Sequence, residues 1–183
     1  MGSCSSLNET VLQGNSGKIH EISRIDALQD ARLICAVGWF PITKNGMTLA
    51  EKKQELVEDL GLLPSAQDRL MYVVDKAKKT PQLPAELRTD QTRVEGCLSN
   101  LWFIPEFQDG KCYFKVDADS HIVRGIAIVL AEFYSGHAPA EILANDPAFL
   151  STVGITQHLS PNRRNGLSRL WDKIRTFAAE HAS

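Results

Sequence analysis

The sequence predicts an α+β domain in which helices pack on one side of a small antiparallel sheet. Three observations predict it. Segments with apolar residues at helical spacing occupy both ends of the patterned region, and two strand-like segments, the second of them alternating, flank a glycine-containing turn between them. No internal repeat or low-complexity tract breaks the order, and 43% hydrophobic content over 183 residues suffices for one ordinary core.

The elements follow from the residues in turn. Thr48 can cap a first helix whose stripe is Leu49, Leu56, Val57 and Leu60, with Gly61 and Pro64 ending it. Ser65 can cap a second, in which Leu70, Val73, Val74 and Ala77 recur at the spacing of one buried face. A proline-containing loop over 80–92 leads to two strand segments, 101–104 and 111–116, around the turn Gln108-Asp109-Gly110. Alternation puts Cys112, Phe114 and Val116 on one face of the second strand and Lys111 and Lys115 on the other. A helix over 120–134 is apolar around most of its circumference, the pattern of a helix buried on more than one side. Short helices follow at 139–144 and after Asp146-Pro147. The last helix opens at Ser160-Pro161, with Leu167, Leu170, Trp171, Ile174, Phe177 and Ala178 as its stripe.

Residues 1–46 differ in texture. They hold five of the twelve glycines and little periodicity, and the composition changes at Met47, itself a candidate initiator. The expectation is a domain at 47–183 preceded by a dispensable extension or an over-extended start. The rival is a genuine arm whose Leu33, Ile34, Val37, Trp39 and Phe40 pack on the domain.

Charge and hydropathy exclude several functions. A formal net charge of −2 and a pI near 6.2 argue against a nucleic-acid partner. No apolar run approaches the length of a membrane span, and the first residues lack the basic and apolar regions of a secretory signal. Residues 1–6 fit the short M-G-x-x-x-[ST] myristoylation pattern, with Cys4 as a palmitoylation candidate, but chance matches to it are common. The expectation is a cytoplasmic protein with no membrane partner. Cysteines 4, 35, 97 and 112 include no C-x-x-C, so neither a structural zinc site nor a paired-thiol oxidoreductase is expected.

Cys97 follows Gly96 in the polar segment Val94-Glu95-Gly96-Cys97-Leu98-Ser99-Asn100, just before the first strand. On spacing alone a lone cysteine is more often a small buried hydrophobe than a nucleophile. Cys112, alternating with Phe114 and Val116, reads as such filler. Ser160 reads as a helix cap through its hydroxyl, and His158 as a structural histidine or a proton-transfer aid. Arg163 falls in the first turn of its helix, where a cation opposes the helix dipole, so it reads as a docking or thiolate-supporting group or as a solvated charge. Asp117 and Asp119 read as the end of the hairpin and the start of the long helix.

Three blocks together carry a resemblance. Gly96-Cys97-x-Ser99-x-x-Trp102, residues 117–125 (DADSHIVRG) and residues 156–167 (TQHLSPNRRNGL) resemble, in order and spacing, the SufE/CsdE family of sulfur-acceptor proteins. The likeness covers roughly 48–181 and departs at Leu98, Asn100 and Arg164. The resemblance implies a SufE/IscU-like fold and a monomer without a cofactor or a turnover of its own. It implies that Cys97 takes persulfide sulfur from a pyridoxal-phosphate cysteine desulfurase of the SufS/CsdA type and passes it to a SufBCD-type iron–sulfur assembly scaffold. Gly96, Asp119, His158 and Arg163 would support the acceptor or its docking. The attacking species is a thiolate, and an ordinary thiol of pKa ~8.5 is only about 3% ionised at pH 7, so its surroundings must lower that pKa. The alternative is a scaffold that itself binds an iron–sulfur cluster or zinc, which needs about three converging thiolate or imidazole ligands. Residues 48–181 offer only Cys97 and Cys112 as thiols.

Overall fold

The computed structural model describes residues 46–96, 99–157 and 159–182. The expectations for residues 1–45, including those for Cys4 and Cys35, lie outside the described residues.

Two capped helices open the described chain. In α1 (Leu49–Gly61) the Thr48 hydroxyl accepts from Glu51 N–H, and the Glu51 carboxylate accepts from Thr48 N–H at 2.8 Å. Ser65 and Asp68 repeat this reciprocal pair at the start of α2 (Ala66–Lys79). Each pair satisfies two amide groups that a helix start leaves unpaired.

Strands β1 (Leu101–Gln108) and β2 (Lys111–Ala118) form an antiparallel hairpin with Gln108 opposite Lys111. The turn is two residues, not three. Asp109 (φ 52°) and Gly110 (φ 75°) both take the left-handed conformation of a type I′ turn, whose twist matches that of the strands. Both strands therefore run longer than their alternation indicates, and β1 contains Pro105. Counting from Gln108↔Lys111, Pro105↔Phe114 is a pair whose backbone nitrogens point away from each other. Proline thus removes no bond from the hairpin ladder, and Phe114 N–H donates instead to Ser135 Oγ at 2.9 Å. The outer edge of β2 is further covered by Cys112 N–H to His137 O at 2.9 Å and Gly136 N–H to Cys112 O at 2.8 Å. The outer edge of β1 is paired over 101–103 by residues 92–94, a pairing the sequence pattern does not reveal.

The second half of β2 is buried on both faces, from Phe114 through Ala118. Lys115 is therefore buried, with its ammonium 3.6 Å from Glu106, and does not lie on a solvent face as simple alternation would suggest. Helix α3 (His121–Tyr134) packs on β2 and α2 and is buried along most of its length. Gly125 sets how closely α2 and α3 approach, because a methyl group there would overlap the backbone carbonyl of Val73. Helices α4 (Pro139–Leu143), α5 (Phe149–Thr152) and α6 (Pro161–Glu180) follow, and α6 buries Leu167, Leu170, Ile174 and Ala178. Ser160 is the N-cap of α6, but its side chain makes no cap hydrogen bond, contrary to the sequence reading. Proline at the first position needs no acceptor for its own nitrogen, which reduces the demand on that cap.

The Asp117 carboxylate does not merely end the hairpin. It is buried and fully paired: Oδ1 accepts from Arg124 Nε at 2.5 Å and from Ala118 N–H at 2.9 Å. Oδ2 accepts from Leu83 N–H and pairs with Arg88 Nη2, both at 3.0 Å. Arg124 also donates to the carbonyls of Ala77, Thr80 and Pro81, satisfying the C-terminal end of α2. Lys52 does the same for α3, donating to Glu132 O, Phe133 O and Ser135 O. Glu141 on α4 accepts Leu49 N–H at 2.7 Å and meets His137 Nδ1 at 2.9 Å, tying α1 to the loop after α3.

This packing can be tested at Gly125 and at His137. Gly125→Ala should destabilise the domain by about 3 kcal/mol or more, because rigid backbone, not a flexible side chain, meets the added methyl. Chemical denaturation that found a loss under about 1 kcal/mol would contradict the packing. The second test concerns acid. Burial holds His137 below its ordinary 6.5, outweighing the opposing effect of its hydrogen bond to the Glu141 carboxylate. The unfolded chain then takes up a proton near pH 6.5 that the folded chain resists. His137 stabilises fully above that pH, and its contribution is lost as pH falls from about 6.5 towards the lower folded value. For Glu141, desolvation raises the pKa, but the Leu49 and His137 hydrogen bonds outweigh it; this lowered carboxyl adds a further loss below about pH 4.5. The urea midpoint should drop between about pH 7.5 and 5.5, and should drop less in His137→Gln; equal drops in both proteins would remove His137 as the cause.

Candidate functional site

The site is a loop whose two feet are fixed. Val94 N–H donates to Leu101 O at 2.7 Å, Phe103 N–H donates to Thr92 O at 2.8 Å, and Arg93 bridges Trp102 in antiparallel fashion. Residues 95–100 connect these paired ends. Cys97 and Leu98 lie outside the described residues, so the site is built from what flanks them.

On the near side, Gly96 has φ +80°, a conformation that other residues adopt only with strain. On the far side, Asn100 is the clamp. Its carbonyl accepts Asp119 N–H at 3.1 Å, its Nδ2 donates to Asp119 Oδ2 at 2.7 Å, and its Oδ1 accepts from Arg93 at 3.4 Å. Arg93 is itself paired with Asp90 at 3.2 Å. Asp119 thus holds the loop foot from the junction between β2 and α3. It does not cap α3, which starts after Ser120 with no side-chain cap. Below the loop, the Arg88 guanidinium lies 5.7 Å over the Trp102 ring while pairing with Asp117.

The other expected residues are placed less closely. His158 lies outside the described residues; beside it, Leu159 is buried and Gln157 exposed. Arg163 is half-buried in the first turn of α6, and its side chain has no hydrogen-bond or ionic partner among the described residues. No hydrogen bond or ion pair joins it to Asp119. A cavity of about 230 Å³ between α3 and α6 is lined by Ile126, Leu130, Leu167, Trp171 and the divergent Arg164, but by no described residue of the 95–100 loop. The sequence pattern does not mark Arg93 or Arg169. The latter lies against Gly96: a methyl group built there would sit 3.7 Å from Arg169 Nε. Only the fold brings 96 and 169 together, so no local signal could have marked it.

Cys112 is buried, as its alternation indicates, and burial pushes its thiol up to about 11. A thiol in that state is a poor nucleophile and a poor metal ligand at neutral pH. Among the described residues, no three His, Cys, Asp or Glu side chains converge as a metal site, and no helix is long and apolar enough to cross a membrane.

Comparison with known proteins decides the family. The SufE model, described as an Fe–S metabolism associated domain, matches residues 54–178. The chain belongs to the SufE family. An uncharacterized SufE-like protein of Rhizobium etli is 33% identical over 134 residues, which is 70% of this chain and 90% of that protein. Another from Rhizobium meliloti is 30% identical over 129 residues, covering 68% of this chain and 92% of the relative. The solution structure of a hypothetical protein from Thermus thermophilus superposes with a TM-score of 0.59 at 21% identity, covering 71% of this chain and 95% of that one. That likeness supports the α+β fold of the SufE domain, and the family model links the chain to iron–sulfur metabolism.

The clamp yields a test of its own. Asn100→Ala removes exposed hydrogen bonds worth about 1 kcal/mol at the loop foot and should leave the core intact. Hydrogen exchange should then show about fivefold lower protection of the Val94 and Asp119 amides, with β2 amides unchanged. Unaltered protection at both amides would mean that Asn100 does not hold the loop.

Proposed function

We propose that this SufE-family chain is a sulfur acceptor and activator of a cysteine desulfurase, with the acceptor domain at 47–183. The observation that carries the reading is the anchored loop: Gly96-Cys97-x-Ser99 lies between backbone-paired feet in a chain of this family. In the reaction, the Cys97 thiolate attacks the outer sulfur of the desulfurase persulfide. A bond forms between Cys97 Sγ and that sulfur as the original S–S bond breaks, and the desulfurase leaves as a thiolate. The sulfane sulfur changes carrier without net oxidation or reduction, and Cys97 holds it as a persulfide. A SufBCD-type scaffold then receives it. The chain acts as a cytoplasmic monomer with no turnover of its own, and the pyridoxal chemistry belongs to the desulfurase.

The inertness of Cys112 supports this division of labour. A second reactive thiol nearby could attack the persulfide and release its sulfur as sulfide. Gly96 gives the loop its turn, and Asp119 fixes its foot through Asn100. Arg163 and His158 contribute to docking or to the acceptor.

Incubation with a SufS-type desulfurase and L-cysteine should add about 32 daltons, one sulfur atom, to Cys97, as read by peptide mass spectrometry. Cys97→Ser should lose both the adduct and the stimulation of the desulfurase while keeping its melting temperature. Cys112→Ser should keep the adduct but lose about 1–2 kcal/mol of stability through a buried hydroxyl without a partner. An adduct that persists in Cys97→Ser would sink the proposal. Stoichiometric iron or zinc on the purified chain would favour the scaffold alternative instead.

A further inference from the structure

The cavity between α3 and α6 brings an apolar floor together with two opposite charges. Ile126 and Leu130 of α3, Leu150 of α5, and Leu167 and Trp171 of α6 supply the apolar part. Trp171 is held by stacking on Tyr134, with ring centroids 4.9 Å apart. A cavity of roughly 150 Å³ with apolar walls accommodates a benzene ring. At about 230 Å³, this one has room for a phenyl or branched aliphatic group with a small polar head at its rim.

Asp146 and Arg164 are the charged side chains of the lining, both are exposed, and they form no ion pair with each other. Asp146 precedes α5, and its Oδ1 accepts Ala148 N–H at 2.6 Å, which leaves its second oxygen for another donor. Arg164 has no hydrogen-bond or ionic partner among the described residues. Helix stability does not account for it, since a cation in the first turn of α6 opposes the macrodipole. It is also a position at which this chain departs from the family pattern. Thr156 and Ser168 add hydroxyl groups to the same lining, each able to donate or accept.

A ligand that matches this lining carries an apolar body and both charges. A simple carboxylate would pair with Arg164 but meet Asp146, and a simple amine would do the reverse. An α-amino acid holds both charges on one carbon, beside its side chain. We propose that the cavity binds a free α-amino acid with a bulky apolar side chain. The side chain lies against Ile126, Leu130 and Trp171, the carboxylate pairs with Arg164, and the ammonium pairs with Asp146. The site is independent of the sulfur-acceptor reading, because no described residue of the 95–100 loop lines it. By joining the segment before α5 to α6, the bound amino acid would stabilise the folded domain.

The test is a nuclear magnetic resonance titration of the full chain that follows the Trp171 indole N–H, identified by its loss in Trp171→Phe. L-Leucine or L-phenylalanine should shift it saturably, with a Kd on the order of 1 mM. Isocaproate is leucine without its ammonium, and isoamylamine is leucine without its carboxylate; each should bind about tenfold more weakly than L-leucine. Glycine, which lacks the apolar body, should bind more weakly still. Arg164→Gln and Asp146→Asn should each weaken L-leucine by about tenfold, and Arg164→Lys should keep most of the affinity. Both altered side chains are exposed, and asparagine still accepts from Ala148 N–H, so the ligand-free variants should melt with the parent protein. No saturable shift with either amino acid up to about 20 mM would overturn the assignment. So would equal affinity for isocaproate or glycine, or unchanged affinity in either Arg164→Gln or Asp146→Asn.

Discussion

The buried Asp117 carboxylate is where distant segments of the chain meet. Through Arg124 it reaches α3 and the last carbonyls of α2, and through Leu83 and Arg88 it reaches the loop beyond α2. Through Arg88 it also reaches the Trp102 ring on β1. A buried ion pair contributes little net stability against an apolar replacement, because desolvation offsets the attraction. Breaking one is another matter: an orphaned buried charge costs about 3–5 kcal/mol. The network therefore acts chiefly on specificity. A one-residue slip of the hairpin would turn Asp117 to the opposite face and strand two guanidinium groups at once.

That register carries through to the loop. With Leu101 opposite Ala118, the residue before β1 meets the residue after β2, and these are Asn100 and Asp119. The clamp at the loop foot is thus fixed by the same constraint that orders the core two residues away. The opposite foot is fixed by backbone pairing at 92–94. The result is a short span of chain with anchored ends, in which the left-handed backbone at Gly96 follows the first foot directly. The two thiols of the domain differ for the same reason. Cys112 sits on the inward face of β2, where burial raises its pKa to about 11. Cys97 lies, by its place in the sequence, outside the two strands.

Local features of the fold were legible in the sequence, and long-range polar ones were not. The caps at Thr48 and Ser65, the stripe of α2 and the two-fold alternation around Cys112 are set by residues close to one another in the chain. Gly125 and Arg124 are hidden inside a helix that reads simply as apolar, although one sets the helix spacing and the other closes the end of α2. Asp117 and Asp119 look alike in sequence as two acids near a strand end, yet one is buried under two arginines and the other clamps an exposed loop. Only burial separates them. Asn100 stands out in sequence merely as a departure from the family pattern, and its role emerges only once residue 119 is beside it. For the candidate site, the motif around Cys97 was readable, whereas the contacts of Arg93 and Asp119 with Asn100, and of Arg169 with Gly96, join residues distant in the chain.

The sixth helix carries a charge pattern that helix stability does not explain. Its first turn has no acidic residue but has Arg163 and Arg164, and Arg169 follows in the third turn. Cations near a helix N-terminus oppose the macrodipole and destabilise it by about 0.3–1 kcal/mol each at exposed sites. Ser160 does not compensate with a side-chain cap. The chain as a whole is slightly acidic, so this is a local concentration of positive charge on an otherwise balanced surface. One member of it, Arg169, reaches the backbone of Gly96. Such a concentration produces a positive field beside the turn at Gly96. The same field favours approach of an anionic surface while leaving the buried network around Asp117 undisturbed, because the exposed and buried charges act through different dielectric surroundings.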